Sequence, residues 1–359
     1  MNEELLEKIK LIAPGTMLRK AIDDIMRANT GALIVLIDDP DKYKNIIQGG
    51  FRLNINFEPE FLYELSKMDG AIVVSSDISK IYYANVHLVP DPSIPTTETG
   101  MRHRTAERFA KQTGDVVITV SRRRKTITLF YKNYKYVVND ITLVLSKVSQ
   151  AINTLEKYRK NFDKLLSELD IIELENRTTL YDVVKVLEKG IMVMKISYEI
   201  KPYLTELGEE ARLAKMQVNE LTEDIDDLLE LIIMDYYNYE EEKEDDPKII
   251  LENLVKSPTV DSIKIARSLG YSVQTSSQIE DITVKSKGFR ILKYIAKIPM
   301  SISRKVIDNF KNIVAISQAS IEDLKSVEGI GNKRAKSIVD SIHSLKMRKT
   351  AAMEGEEMQ

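Results

Sequence analysis

Three short stretches of the sequence combine residue types that suit phosphate chemistry. Asp69-Gly70-Ala71 places a carboxylate and a glycine directly before an apolar run. Gly100-Met101-Arg102-His103-Arg104-Thr105 leads from a glycine into consecutive cations at a predicted helix start, and Ser121-Arg122-Arg123-Arg124 ends a predicted strand. Guanidinium groups bind phosphate through paired hydrogen bonds, and the free amides of a helix N-terminus favour anions. Together the three stretches predict a site for a polyphosphate.

Each stretch alone also has an ordinary explanation. Asp-Gly is a strong turn former, because glycine tolerates positive φ and aspartate caps its own backbone. A run of arginines is often no more than a solvated surface. The three stretches are harder to dismiss together than one by one.

The first 148 residues alternate short apolar runs with helical segments, which predicts an α/β domain with a central mixed sheet. Helical spacing is found in 59–68 and in 102–114, where Gly114 is the expected helix end. The predicted strands are the β-branched apolar runs 31–37, 70–75, 80–89, 115–121 and 126–138. Several are apolar enough to be covered on both faces.

Residues 149–285 change to a helical period, and this region is predicted to be an all-α spine. Apolar residues from Ile152 to Ile172 are spaced three or four apart and form one stripe on a long helix. Thr179 with Asp182 predicts a helix cap, and Lys201-Pro202 predicts a break. The acidic tract 240–247 is expected to be the exposed end of the spine. No catalytic spacing is found here, so the Met and Leu stripes are interpreted as core.

Composition excludes some classes of site. The 359 residues include no cysteine, which excludes disulfides and thiolate metal sites. No run approaches the roughly 18 uninterrupted apolar residues of a membrane-spanning helix, and the start lacks the pattern of a signal peptide. We therefore expect a cytoplasmic protein with no membrane partner.

Charge is distributed unevenly although the net charge is only −3. Residues 285–349 hold fifteen Lys and Arg against five Asp and Glu, a local charge of +10. Such a region has the electrostatic character of a polyanion-binding module. A solvated helical surface would show the same charge.

The basic region 286–350 contains a glycine hairpin. Gly329-Ile330-Gly331 lies between two amphipathic helices, and Lys333, Arg334 and Lys336 follow it. The glycines allow a tight turn and expose amides at the next helix N-terminus, where an anion is favoured. This stretch resembles the helix-hairpin-helix motif of DNA-repair and junction-binding proteins, and a more degenerate copy surrounds Pro299. The resemblance implies a RuvA-like module that binds duplex or branched DNA through phosphates; an ordinary helical hairpin is the alternative.

The two N-terminal motifs, Asp69-Gly70-Ala71 and Gly100-x-Arg102-His103-Arg104, resemble the signature motifs of diadenylate cyclases, which join two ATP into cyclic di-AMP. The succession of a cyclase domain (1–148), a helical spine (149–285), a hairpin module (286–350) and a disordered tail (351–359) is similar to the DNA-integrity-scanning branch of that family. This resemblance covers nearly the whole chain and implies a cytoplasmic, nucleoid-associated homo-octamer with cyclase domains face to face. One departure is Met101, which replaces a threonine of the family motif and so removes a hydroxyl.

The resemblance also implies roles for individual residues. Asp69 would orient or deprotonate the attacking 3′-hydroxyl, and together with His103 it would lie near a divalent metal, Mg²⁺ or Mn²⁺. Arg102, His103, Arg104 and Thr105 would hold the triphosphate, whereas Gly70 and Ala71 leave room for the ribose. The remaining implied nucleotide contacts are Leu88 beside the adenine, Met101, and Ser121, Arg122, Arg123 and Arg124 at phosphates of the opposing subunit.

The chemistry itself favours a pair of subunits. A single carboxylate cannot easily build the two-metal site of polymerases, in which ions lie about 4 Å apart. If each subunit holds one ATP, a two-fold axis places each 3′-hydroxyl against the other α-phosphorus, and both new bonds become equivalent. A monomer should then be inactive. The alternatives are a non-enzymatic DNA-structure-binding oligomer, whose N-terminal domain only binds nucleotide or oligomerises, and an ATP-binding regulator that no longer cyclises.

Overall fold

The computed structural model describes residues 3–238 and 246–356, and the chain divides into two compact units. The first unit is Met1–Gln150 with Ile200–Met216, and the second is Ala151–Glu199 with Gln217–Gln359. The elements of the first 140 residues are α1 (Glu3–Lys10), α2 (Met17–Arg27), β1 (Ala32–Ile37), a 3₁₀ turn (Pro40–Tyr43), β2 (Ile47–Gln48), β3 (Phe51–Asn56), α3 (Pro59–Leu65), β4 (Ala71–Ser75), β5 (Lys80–Leu88), α4 (Met101–Thr113), β6 (Val116–Ser121), β7 (Thr126–Tyr131) and β8 (Tyr134–Val137).

These strands form one mixed sheet, as predicted. The strand order is β2-β5-β4-β1-β6-β7-β8, and β3 pairs with β5. β1 and β4 are parallel, whereas β1 with β6 and β4 with β5 are antiparallel. All residues of β1 and β4 are buried, which explains why their sequences are continuous apolar runs without alternation.

Two apolar layers cover the sheet. On one face α1 and α2 pack through residues such as Ile9, Leu18 and Ile22 against Ile34 and Ile118. On the other face α4 packs against the alternate residues of the same strands; its contacts are Ala106, Phe109 and Ala110. Helix α4 is therefore fixed along the sheet by three small or aromatic residues at helical spacing.

One strand prediction was wrong. The run 126–138 is not a single strand but a hairpin, in which Tyr131 pairs with Tyr134 and Lys132 adopts a positive φ of 49°. A two-residue hairpin loop requires a positive φ at its first position, and here Lys132 adopts it although lysine does not favour that region. This turn contains neither glycine nor proline, the residues that most strongly mark a turn in a sequence.

The remaining elements are helical: α5 (Ile141–Leu174), α6 (Leu180–Leu207), a 3₁₀ turn (Gly208–Ala211), α7 (Arg212–Thr222), α8 (Ile225–Tyr236), α9 (Pro247–Lys256), α10 (Ser262–Ser268), α11 (Ser276–Asp281), a π-helical turn (Ile291–Ile295), α12 (Met300–Phe310), α13 (Ile313–Gln318), α14 (Ile321–Lys325) and α15 (Asn332–Glu356). The predicted stripe lies on α5, with Leu155 and Phe162 fully buried. The predicted cap is present, since the Thr179 N–H and hydroxyl both donate to Asp182 at 2.9 and 2.7 Å.

The predicted break at Lys201-Pro202 was wrong, because α6 continues through Pro202 to Leu207. Proline removes only one backbone hydrogen bond of the helix. Buried Ile200 and Leu204 on either side hold the helix in place by packing. The helix ends at Gly208, which has a positive φ of 56°.

A buried ionic cluster organises the second unit. Arg290 is 2% exposed; its guanidinium pairs with Asp170 and with Glu173, the latter at 2.8 Å. Asp235 accepts the N–H groups of residues 288, 289 and 290 at 2.7, 2.6 and 3.1 Å, and the Tyr236 hydroxyl donates to Glu173. The cluster therefore joins α5, α8 and the start of the hairpin module within one core.

Some predicted features fall on the limits of the described residues. Of the acidic tract 240–247, only Asp246 and Pro247 are described, and they begin α9. Helix α15 includes the first part of the predicted tail 351–359, whose last three residues lie outside the described residues. Within the described part of the chain, no helix has the length and hydropathy that crossing a membrane requires.

Candidate functional site

The sheet brings the three N-terminal stretches to one edge. Parallel β1 and β4 both begin there, with Ile34 level with Ile72, and antiparallel β5 and β6 both end there. The residues at this edge, called the site edge below, are Gly31 before β1, Asp69 to Ala71 before and at the start of β4, Leu88 at the end of β5, and Ser121 at the end of β6. Stretches that lie some 50 residues apart in the chain are thus neighbours.

Gly70 is required by the backbone around it. Its φ is +94°, and a Cβ at this position would lie 2.9 Å from the carbonyl carbon of Asn85 and from the carbonyl oxygen of Val86. The β4–β5 register shifts here, and Asn85 itself has a positive φ of 55°. Such bulges re-aim the neighbouring side chain. Asp69 consequently stands exposed at the site edge and has no ion pair or hydrogen bond among the described residues.

The N-terminus of α4 also faces the site edge. Gly100 is its N-cap and offers no side-chain acceptor, while the Arg104 N–H donates to the Gly100 carbonyl at 2.9 Å. The amides of the first turn therefore remain available to an anion. At the other end α4 stops at Gly114, whose φ is +79°, as the sequence predicted.

Arg102 crosses the start of β1 above Gly31. A Cβ at position 31 would lie 2.3 Å from Nη1 of Arg102 and 3.0 Å from the carbonyl oxygen of Val120. The absent side chain at Gly31 leaves the space that the guanidinium occupies. Gly31 carries no signal of this contact in the sequence, where it only begins the apolar run 31–37.

The positive charges at the site edge have no carboxylate partners among the described residues. Arg102, Arg104 and the exposed arginines of the turn 122–124 form no ion pair with any described residue. The turn is ordered by the Arg124 N–H, which donates to Ser121 Oγ at 3.2 Å. Five unpaired arginines beside a helix N-terminus attract a polyanion.

His103 lies against the sheet rather than in solvent. Its ring meets Phe130 edge to face at 6.4 Å, and its Nε2 is buried without a hydrogen-bond partner among the described residues. Burial lowers the pKa of His103; Glu98 opposes this effect, and Arg124 and Arg102 add to it. The imidazole is therefore held neutral, the form that can accept a proton or a metal.

The loop between β5 and α4 is tied to α4 by several side chains. Arg108 Nε donates to the Ile94 carbonyl and Lys111 Nζ to the Pro95 carbonyl, both at 2.9 Å. Glu107 is buried, which raises its pKa, but hydrogen bonds from Lys111 and Thr96 outweigh burial and hold the pKa below its usual value. These contacts fix Gly100 relative to Leu88. In the sequence, only the three prolines of this loop hint at such an ordered connection.

The remaining predicted residues are placed as follows. Ala71 is fully buried, Leu88 is 9% exposed in the apolar layer beneath α4, and Met101 is 78% exposed. Thr105 is half-buried on the first turn of α4. The roles of these four residues in nucleotide binding stay predictions.

The predicted hairpin is also formed. Gly329 has a φ of +91°, Ile330 is buried at 5% exposure, and no atom lies within 4 Å of the position that a Cβ on Gly331 would take. Lys333, Arg334 and Lys336 are exposed on the first turns of α15, and Arg334 Nη1 donates to the Gly329 carbonyl at 2.7 Å. The turn is thus open to solvent and surrounded by cations.

Comparison with known proteins agrees with this order of regions. Residues 19–135 match a family model described as DisA bacterial checkpoint controller nucleotide-binding, 138–278 match the DisA bacterial checkpoint controller linker region, and 295–350 match a helix-hairpin-helix motif. The DNA integrity scanning protein DisA of Thermotoga petrophila is 62% identical over 97% of this chain and 99% of its own length. The chain belongs to the DisA family. The DisA protein of Thermotoga maritima is likewise 62% identical, and that of Carboxydothermus hydrogenoformans is 44% identical over 96% of this chain and 97% of its own length.

The family match confirms the predicted order of a nucleotide-binding domain, a helical region and a hairpin module. The predicted boundaries at 148 and 285 stay predictions: position 148 lies inside the matched linker range 138–278, and position 285 lies between that range and the matched hairpin range 295–350. In this DisA-family chain the helical region and the hairpins share one compact unit, and residues 200–216 pack with the nucleotide-binding domain.

At the site edge, the coordination of a divalent metal would have to be completed by phosphates of the bound nucleotide and by water. Among the described residues no group of three His, Asp or Glu side chains is arranged to hold a metal ion. Asp69 fits as one oxygen ligand, since Mg²⁺ is commonly held by one or two carboxylates, substrate phosphates and water. The buried Nε2 of His103 does not fit, so His103 could contribute only through Nδ1, the atom nearer Gly100. The predicted Mg²⁺ or Mn²⁺ site stays a prediction.

Proposed function

We propose that this chain is a diadenylate cyclase, a nucleotidyltransferase that condenses two ATP into cyclic di-3′,5′-AMP and two pyrophosphates. The observation that carries the proposal is the site edge, where one unpaired carboxylate, an open helix N-terminus and five unpaired arginines meet. A triphosphate satisfies the arginines and the amides, and a ribose hydroxyl satisfies the carboxylate.

In this proposal the arginines position the triphosphate, and the aspartate prepares the attacking hydroxyl. Arg102 and Arg104 bind phosphate oxygens, and the first-turn amides of α4 stabilise the charge that moves onto pyrophosphate. Asp69 accepts a hydrogen bond from the 3′-hydroxyl and takes up the hydroxyl proton as the 3′-oxygen attacks. Each attack forms one bond to an α-phosphorus and breaks the bond from that phosphorus to the β-phosphate oxygen. Phosphoryl transfer of this kind depends mainly on positioning and charge stabilisation.

A divalent ion, when bound at Asp69 together with the triphosphate, would supply additional charge neutralisation. Mg²⁺ and Mn²⁺ both suit carboxylate and phosphate oxygens.

The proposal requires two chains. One site edge holds one ATP, and its single Asp69 serves one hydroxyl. A face-to-face pair related by a two-fold axis makes the two attacks equivalent, and larger homo-oligomers such as the proposed octamer contain this pair. We place the protein in the cytoplasm, close to chromosomal DNA.

A direct experiment is incubation of the full chain with ATP and Mg²⁺ or Mn²⁺, followed by mass spectrometry of the products. Cyclic di-AMP should form with wild type and disappear in Asp69→Asn, while ATP binding persists because the arginines remain. Asp41→Asn is the matched control, since Asp41 is an exposed aspartate just beyond the far end of β1. Formation of the cyclic product by Asp69→Asn at the wild-type rate would refute the role of Asp69.

We further propose that the hairpin module binds duplex or branched DNA through its phosphates. The open turn at Gly331, the exposed Lys333 and Lys336 and the names of the DisA relatives support this function. Affinity should fall steeply with salt and depend little on sequence. A related hypothesis is that bound four-way junctions suppress cyclic di-AMP synthesis; an unchanged rate on adding a junction would refute it.

A further inference from the structure

The hairpin module contains two structurally related turns, 32 residues apart in the chain. Lys297-Ile298-Pro299 corresponds to Gly329-Ile330-Gly331. The first residue of each turn has a positive φ, 56° and 91°, and the central isoleucine is buried in both. Four residues after the last turn residue, the N–H of Ser303 donates to Pro299 and that of Ala335 to Gly331, at 2.9 and 3.0 Å. The backbone framework is therefore repeated.

The second turn keeps everything that a phosphate needs. Gly331 has an N–H that can donate, and its surroundings are open. Lys333 and Lys336 are exposed and have no acidic partner among the described residues. An anion at this turn would meet free donors, the positive end of the 25-residue helix α15, and two uncompensated cations.

The first turn lacks one of these N–H donors, and most of its cations are paired. Pro299 has no N–H at the position equivalent to Gly331. Lys293 pairs with Asp227 at 3.4 Å, and Lys305 pairs with Glu328 at 2.8 Å. Lys297 instead lies over the ring of Tyr294, with Nζ 5.7 Å from its centroid. Only Arg304 of these hairpin cations is without a partner in the described part of the chain.

Acidic residues of the helical region also interact with the residues just before the first turn. Asp227 lies on the first turn of α8 and Asp224 precedes that helix, and both interact with Tyr294. Burial together with these two carboxylates raises the pKa of Tyr294 to about 12. Both carboxylates thus lie beside the residues that lead into the first turn, where they would repel a DNA phosphate.

We propose that the module holds DNA through the second hairpin alone, with one backbone phosphate at the Gly329–Gly331 turn, and that the first hairpin is a structural half neutralised by Asp224 and Asp227. This inference rests on the proposed DNA-binding function and restricts it to one turn. Single contacts are weak, so tight binding would require several modules to engage one DNA molecule.

The internal repeat supplies a matched pair of variants, because Lys336 and Arg304 occupy equivalent positions. Arg304 gives the most demanding test of the first hairpin, because this cation has no partner among the described residues and is therefore the one most available to a phosphate. Anisotropy of a labelled 30-base-pair duplex should be measured over a salt series with wild type, Lys336→Glu and Arg304→Glu in the full chain. Each lost phosphate contact should lower the slope of log K against log salt by about 0.9.

We expect the slope to fall by about 0.9 for Lys336→Glu and to stay at the wild-type value for Arg304→Glu. Equal slope changes in both variants would overturn the proposal and leave DNA binding itself intact. Wild-type binding that is absent or independent of salt would overturn DNA binding by the module, and this inference with it.

A gain of function tests the same idea from the opposite side. Asp227→Asn, combined with Asp224→Asn, removes the carboxylates that face the first hairpin. If they block it, the double variant should bind DNA several-fold more tightly at low salt and show a steeper salt slope, by about 0.9 for one additional phosphate. An unchanged slope and affinity would contradict the neutralising role.

Discussion

Substitution of Gly31 by alanine should impair nucleotide chemistry without unfolding the chain. Gly31 has no positive φ, so alanine is allowed by the backbone. The added Cβ would lie 2.3 Å from Arg102 Nη1, a distance that no carbon atom tolerates, and 3.0 Å from the Val120 carbonyl oxygen. The carbonyl has to move by a few tenths of an ångström, but the flexible guanidinium has to leave.

The size of the effect follows from the interaction that Arg102 would lose. A hydrogen bond to a charged group contributes about 1.5–3 kcal/mol, and about 1.4 kcal/mol corresponds to tenfold in rate. Displacing Arg102 from a phosphate should therefore lower kcat/KM for ATP roughly tenfold to a hundredfold. The free energy of unfolding should change by no more than about 1 kcal/mol, because the lower entropy of the unfolded alanine chain offsets the contact with Val120.

The assay is cyclic di-AMP formation by Gly31→Ala, Arg102→Ala and the double variant. If Gly31 acts through Arg102, the double variant should match Arg102→Ala, because the methyl group then has nothing left to displace. Thr30→Ala is the control; it removes a hydroxyl that donates to the Ile25 carbonyl at 3.2 Å in the same loop and should keep wild-type activity. Wild-type kcat/KM in Gly31→Ala, or losses that add in the double variant, would refute this reasoning.

Three further predictions concern the second unit. Arg290→Met leaves Glu173 buried without its partner and should lower the free energy of unfolding by about 3–5 kcal/mol in urea, whereas Arg177→Met, which breaks an exposed pair, should cost less than about 1 kcal/mol. Burial raises the pKa of Glu173 to about 7, so the folded chain keeps a proton that the unfolded chain releases; stability should fall as the pH rises from about 5 to about 8, and Glu173→Gln should flatten that dependence. Thr179→Ala removes the cap of α6 and should cost about 1 kcal/mol, measured by the same denaturation.

Much of the fold could be predicted because its signals are local. The apolar runs of β1, β4 and β6 are fully or almost fully buried, and their composition alone indicates a covered sheet. The stripe on α5 and the cap at Thr179 are equally local patterns. The strands β2 and β3 were missed, because β2 has only two residues and β3 is a half-exposed strand that alternates apolar and polar residues and has no buried apolar run. Both pair only with β5. The hairpin at Lys132 was missed for the same kind of reason, since only the pairing of β7 with β8 forces its φ.

The candidate site was predicted in its chemistry but not in its framework. Motif residues such as Asp69 and Arg102 stand out by type, whereas Gly31 and Glu107 act through contacts made by residues distant in sequence. At Gly70 the turn explanation is confirmed for the glycine, whereas the role of Asp69 in a site stays a prediction. The glycine satisfies a positive φ and a close approach to β5, and the same bulge leaves Asp69 exposed.

The charges at the site edge give the strongest physical argument for a ligand. Elsewhere in the first unit, exposed cations such as Lys20 and Lys132 pair with carboxylates at 2.8 and 2.7 Å. At the site edge neither Asp69 nor any of the five arginines forms an ion pair with a described residue. Clustered cations repel one another, and that repulsion destabilises the folded chain unless an anion binds. A site edge whose described arginines and Asp69 form no ion pair suits the proposed partner, which carries phosphates at one end and a hydroxyl at the other.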